Sequence, residues 1–233
     1  MFEFIAKNVG IRRAKGDYIL ITNPDVLFNE PLIEFLSLRQ LRNDCFYRID
    51  RYDVAKSVPC GLSIEQQLKF CAQHVFRVAT INDIILIGNL RYYLKRIMRR
   101  FRSNLRRMIP VPVDDTFLLS PPLHINAAGD FFLMAKQYWH RLKGYPELSS
   151  RSFTDGYICF LAASLGLRQV VLKNPLRIYH QEHSRFGYPQ YPSADYQQLL
   201  SSGKRMLEAG KPEIINDEKW GCGDEQLSEY LVK

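Results

Sequence analysis

The chain has 233 residues, 46% of them hydrophobic, and a net charge of +8, enough for one domain with a substantial core. Its five cysteines (Cys45, Cys60, Cys71, Cys159 and Cys222) are odd in number and form no C-x-x-C pair; this argues against a disulfide framework and a zinc site and for a reducing compartment. No run reaches the roughly 18 apolar residues of a membrane span, and Met1-Phe2-Glu3-Phe4 lacks the basic-then-apolar layout of a signal peptide, so the expected location is cytoplasmic, with any membrane contact peripheral.

Glu3 to Lys15 reads as a helix broken by Gly10 and closed near Gly16. Tyr18 to Ile21 is a short apolar run bounded by Gly16 and by Asn23-Pro24, the pattern of a strand buried on both faces in the middle of a parallel or mixed sheet. Pro24 cannot donate to a ladder, so pairing stops there and leaves Asp25 at the strand's C-terminal edge. Open α/β sheets bind ligands at that edge, and a carboxylate there is placed to hold a divalent ion. Asn23-Pro24-Asp25 is equally the composition of a plain turn. Pro31 fits the first position of a helix running to about Gln40.

Asp44 to Val54 alternates aromatic and polar residues and reads as one strand. Its Arg48, Asp50, Arg51 and Asp53 are either a substrate-facing ionic cluster or a mutually paired surface. Ser63-Ile64-Glu65-Gln66 is a capping-box pattern opening a helix to about Val78, with His74 an ordinary helix residue.

The charge excess is local. Arg91, Lys95, Arg96, Arg99, Arg100, Arg102, Arg106 and Arg107 lie in one stretch without an acid, and without them the basic residues equal the 24 acidic ones. Leu94, Ile97, Met98, Phe101, Leu105 and Met108 fall at helical spacing among them, giving an amphipathic basic helical insertion at about 84–109. Such a helix suits an anionic membrane surface; it also suits a large acidic acceptor, or packing on the core with a solvated basic face. No recognition-helix, zinc-finger or aromatic-platform signature accompanies it, so no nucleic acid is expected. Asp114-Asp115 lacks a preceding buried strand and reads as an exposed turn.

His124 to Met134 joins small residues to an apolar strand, Gln137 to Lys143 reads as a short helix closed by Gly144, and Tyr157 to Leu165 as an apolar helix ending at Gly166. Asp155 stands at the start of that last helix, where an acid is favoured as a cap. Leu167 to Leu172 is a further strand. His180 and His183 are three apart: on a helix both would face one site, on an extended strand they would face opposite ways. Tyr196 to Ala209 looks helical, and the acidic tail beyond looks peripheral.

Two pieces of this pattern resemble family-2 glycosyltransferases with the glycosyltransferase-A fold. The first is Asn8-Val9-Gly10 leading through Ala14-Lys15-Gly16-Asp17 into the strand that ends at Asn23-Pro24-Asp25, where the family carries an Asp-x-Asp motif. The second, similar also to the galactosyltransferase C-terminal region, is Gly129-Asp130, then Trp139, then Gly144-Tyr145-Pro146-Glu147, followed by Thr154-Asp155 in the slot of the family's acidic pair. Asn23 and Thr154 replace the first acid of each motif.

The resemblance covers about Asn8 to His183. It implies an α/β, Rossmann-like mixed sheet flanked by helices. The catalytic domain would span 1–192, incomplete at its N-terminal nucleotide-binding strands, with a helical tail at 193–233. It implies Mn²⁺ or Mg²⁺ held by Asp25 and His180, a nucleotide-sugar donor contacted by Asn8, Asn23, Asp25, Gly129 and Asp130, and an acceptor side at Trp139, Tyr145 and Glu147. Asp155 would be the catalytic base of an inverting displacement onto a glycan or lipid-linked acceptor. The competing expectation is a non-catalytic, membrane-associated module that keeps the fold without the donor site.

Overall fold

The structure, a computed structural model, describes residues 3–55, 57–81, 84–88, 123–147, 154–181, 183 and 194–228. In chain order the elements are α1 (Glu3–Arg13), β1 (Tyr18–Ile21), β2 (Val26–Phe28), α2 (Glu30–Ser37), β3 (Cys45–Ile49), β4 (Arg51–Val54), α3 (Ile64–Gln73), β5 (Val75–Ala79), β6 (Ile84–Leu86), β7 (Phe132–Ala135), α4 (Lys136–Leu142), α5 (Thr154–Ser164), β8 (Arg168–Leu172), β9 (Ile178–Gln181) and α6 (Ala194–Ala209). The architecture is α/β with two mixed sheets. One runs β1-β7-β3-β8, the other β2-β9-β4-β5-β6. In the first, β7 is antiparallel to both β1 and β3, while β8 is parallel to β3. In the second, β9 and β4 are parallel and the remaining pairs antiparallel.

β1 is apolar on both faces because it serves two cores. Ile19 and Ile21 enter the cluster around Trp139, Phe132 and Phe160, while Tyr18 and Leu20 pack on the cluster around Leu32, Tyr47 and Phe131. Its place differs from the expected one. Among the described residues β1 ends the order of the four-stranded sheet, with β7 as its neighbour. α5 is apolar on every side because it lies between that sheet and α6. Gly203 of α6 sits so close to Phe160 that a Cβ there would fall 2.5 Å from the ring.

Several expected boundaries move. α1 passes unbroken through Gly10, which costs a helix only about 1 kcal/mol when packing holds it. Asp44 to Val54 is two strands, parted at Asp50 and placed in different sheets. The capping box of Ser63 and Gln66 is present, but α3 ends at Gln73. The β-branched Val75 and Val78 then belong to a strand. The expected insertion at about 84–109 begins as β6, paired with β5; its basic residues Arg91 to Arg107 lie outside the described residues, as does Asp114-Asp115.

The tail is not peripheral. Trp220 is buried in the same cluster as Trp139, together with Leu199 and Met206 of α6. Arg12 donates to the carbonyls of Glu218 and Trp220, and Arg13 to those of Gly221 and Cys222, at 2.7–3.0 Å. Among the described residues no helix is long and apolar enough to cross a membrane.

Candidate metal centre

Strand register builds the site. Across the second sheet, Val26 of β2 stands opposite His180 of β9, His180 opposite Asp53 of β4, and Asp53 opposite Arg77 of β5. Cross-strand neighbours on one face touch, so His180, Asp53 and Arg77 form a row. Asp25 precedes β2 directly, and its carbonyl accepts from Gln181 N–H at 3.2 Å, which fixes it beside the end of β9. His183 follows just past that end. The strand stops at Gln181, so the opposite-facing rule does not govern His183, and its ring comes round to the His180 side.

Both histidines face one carboxylate. His180 Nε2 is 3.3 Å and His183 Nε2 3.1 Å from Asp25 Oδ2. The donor atoms of all three residues lie within 4.8 Å of one another. His180 is nearly enclosed, with its side chain 4% exposed, whereas His183 is 54% exposed and opens the cluster to solvent. Asp25 Oδ1 is buried without a hydrogen-bond partner among the described residues. A buried acceptor without a donor is costly, and a cation satisfies it. The residues therefore fit a divalent ion, with one oxygen and two imidazole donors.

A continuous polar network leads away from this cluster. Asp53 is fully buried. Its Oδ1 lies 3.1 Å from His180 Nδ1 and 2.8 Å from Arg51 Nε, and Arg77 Nε pairs with its other oxygen. Burial alone would raise the Asp53 carboxyl, but the His180 contact and the Arg51 and Arg77 guanidiniums outweigh it and hold it at about 2. Arg51 also donates to Asp130 at 2.6 Å. Asn23 Nδ2 donates to the second Asp130 oxygen at 2.7 Å, and Lys7 Nζ donates to Asn23 Oδ1 at 2.6 Å and to the Gly129 carbonyl at 3.3 Å. Asn23, Asp25, Gly129 and Asp130 are thus gathered into one region, with His180 beside Asp25.

Asp155 joins from the far side. Its Oδ2 accepts from Gly129 N–H at 3.1 Å, a bond directed away from its own helix. Its carboxyl is surrounded by protein while part of the residue stays open to solvent. Desolvation raises its pKa above the usual carboxylate value, and Asp130 adds to the rise, against lowering by Gly129 N–H, Arg48 and Lys7.

Other expected site residues sit elsewhere. Asn8 is fully buried, and its whole amide is engaged: Nδ2 donates to the Tyr145 carbonyl and to Glu147, and Oδ1 accepts from Tyr145 N–H, all at 2.8 Å. Gly144 allows this contact, since its φ is +71° and a Cβ there would fall 2.2 Å from Asn8 Oδ1. Trp139 is enclosed in the core and donates to the Ile19 carbonyl at 3.2 Å. Tyr145 is enclosed as well, and Glu147 is bound to Asn8 and to Gly221 N–H. These four brace α1, β1 and the tail, and the structure brings none of them to the Asp25 cluster. In the Arg48–Asp53 group, Arg51 and Asp53 belong to the site network. Arg48 instead holds the carbonyls of His124, Asn126 and Ala128, and Asp50 pairs with His124.

No known family matches the chain, and no curated protein matches it significantly.

Proposed function

We propose that the protein is a metal-dependent, inverting glycosyltransferase of the family-2 type with a glycosyltransferase-A fold. It would transfer a sugar from a nucleotide-sugar donor to the hydroxyl of a glycan or lipid-linked acceptor. The observation that carries this reading is Asp25. It is an acid in the turn between β1 and β2, with two histidines on one oxygen and a second oxygen that is buried and, among the described residues, unpartnered. Asp25, His180 and His183 would hold the ion. A carboxylate with two imidazoles favours Mn²⁺ over the harder Mg²⁺. When bound, the ion supplies positive charge for a departing diphosphate.

The chain's own residues do the rest. Asp130 and Asn23, fixed by Arg51 and Lys7, form the polar wall beside Asp25 on which a donor would rest. Asp155 takes the proton of the acceptor hydroxyl at a carboxylate oxygen, while Gly129 N–H on Oδ2 keeps the group in place. A carboxyl raised by burial is a stronger base than one in water, as this step requires. The basic residues Arg91 to Arg107 would keep the enzyme at an anionic surface that carries its acceptor.

The test is calorimetric titration with Mn²⁺, followed by a panel of nucleotide sugars scored for Mn²⁺-dependent release of nucleoside diphosphate. Asp25→Asn should lose both Mn²⁺ binding and release, with folding near that of the native protein. If the native protein with Mn²⁺ bound no nucleotide sugar, the non-catalytic alternative would replace this reading.

A further inference from the structure

We propose that Asp53 is a positioning residue that fixes the His180 ring, presenting Nε2 to a divalent ion shared with Asp25 and His183. The inference rests on the metal reading of that cluster and concerns a residue that does not touch the ion.

Among the described residues, His180 Nδ1, Asp53 Oδ1 and Arg51 Nε are buried and lack an aligned hydrogen-bond partner. Yet they face one another, with Oδ1 at 3.1 Å from Nδ1 and 2.8 Å from Nε. One carboxylate oxygen has lone pairs for both donors, and a small turn of the His180 ring aligns its share. Sheet register confines that ring. His180 stands between Val26 and Asp53, with strands paired on both sides of β9.

The tautomer follows. A ring nitrogen that ligates an ion must present its lone pair, so with Nε2 toward the ion the ring carries its proton on Nδ1, the atom that faces Asp53. In the neutral ring that donates Nδ1–H to Asp53, the Nε2 lone pair points toward Asp25 Oδ2, 3.3 Å away. Acceptor then faces acceptor, an arrangement that becomes favourable when a cation lies between them. Metal-bound histidines are commonly oriented in this way by a carboxylate on the other ring nitrogen. Asp53 is in turn held by Arg51 and Arg77, and Arg51 reaches on to Asp130. The brace therefore ties the metal cluster to the polar wall expected to meet the donor.

The experiment uses the full chain and Mn²⁺ alone. Calorimetry should give an affinity about 10–100-fold weaker for Asp53→Asn than for the native protein. Melting without metal is measured in parallel, because a purely structural role lowers the melting temperature and leaves the affinity unchanged. Equal affinity, within about twofold, in a folded Asp53→Asn overturns the inference and leaves the metal site standing. No Mn²⁺ uptake by the native protein overturns the metal reading and this inference together. If Asp53→Asn does not fold, ¹⁵N NMR of the native protein loaded with diamagnetic Cd²⁺ decides the matter. A His180 ring protonated at Nδ1 and metal-shifted at Nε2 upholds the inference; any other tautomer overturns it.

Discussion

The two histidines of the cluster should separate stability from metal binding. Replacing His180 by Ala removes an enclosed ring and leaves Asp53 Oδ1 with one fewer donor in a buried setting. A buried charged acceptor deprived of a partner costs about 1–3 kcal/mol, and the lost packing adds to that, so we expect about 2–3 kcal/mol in the metal-free protein. For a chain of this size each kcal/mol shifts melting by about 2–4 °C, which puts the drop at roughly 4–12 °C. His183 is 54% exposed. His183→Ala should stay within about 0.5 kcal/mol, as exposed substitutions do. Both variants lose a donor of the same ion, so both should lose more Mn²⁺ affinity than the about 10–100-fold that outer partners contribute. The assay is thermal melting in chelator, then calorimetry with Mn²⁺. Equal destabilisation by the two variants would refute the assigned burial and bracing, and native Mn²⁺ affinity in either would remove that histidine from the site.

Asp155→Asn should bind Mn²⁺ and donor but lose transfer, because an amide cannot take the proton. A carboxyl with a raised pKa contributes most to stability when protonated, and loses that contribution as pH rises through its native value. The Asn variant should therefore melt no lower than the native protein near neutrality, and melting curves across the acidic to neutral range check the sign. Gly144→Ala should cost about 2–4 kcal/mol in urea unfolding, since it forces a side chain into a left-handed conformation and onto Asn8 Oδ1; a cost under about 1 kcal/mol would show that α1 can shift away. Replacing Arg96, Arg99, Arg100 and Arg107 by Gln should abolish sedimentation with anionic liposomes. Native binding should be absent on zwitterionic ones and weaken as salt shortens the screening length below about 8–10 Å; equal binding to neutral lipid would refute the surface role.

What the sequence disclosed was what is encoded locally. The Tyr18–Ile21 strand, Pro31 at the start of α2, the Ser63–Gln66 capping box and the Gly144 stop each depend on a few adjacent residues, and each is found where expected. Val75 to Ala79 was hidden because neither Gly nor Pro marks the end of α3, so the helical period runs on into β-branched residues. The break at Asp50 is marked by that single Asp alone, with neither Gly nor Pro beside it, within a run of alternating residues. Asp25 and His180 could be named from the motif, but Asp53 and Lys7 could not. The Asp53–His180 row exists only once β4 and β9, far apart in the chain, lie parallel in one register. His183 was obscured by the period-2 rule, which no longer governs a residue beyond the end of β9 at Gln181.

The helix α1 shows why a motif residue can stand close to a site without entering it. Asn8 resembles a donor-binding residue, yet both ends of its amide are engaged with the Tyr145 backbone and Glu147. One residue earlier, Lys7 points the other way and reaches Asn23 and Gly129 at the polar wall. One turn later, Arg12 and Arg13 hold the carbonyls of the tail. A helix places neighbouring side chains about 100° apart, so a single element can face the site, the core and the tail at once. Burying Asn8 fixes the rotation of α1 about its axis, because any turn would withdraw the amide from all three of its hydrogen bonds. That rotation sets where Lys7 emerges. Asn8 thus governs the polar wall through the helix that carries it, and the tail that locks α1 in place becomes part of the same support.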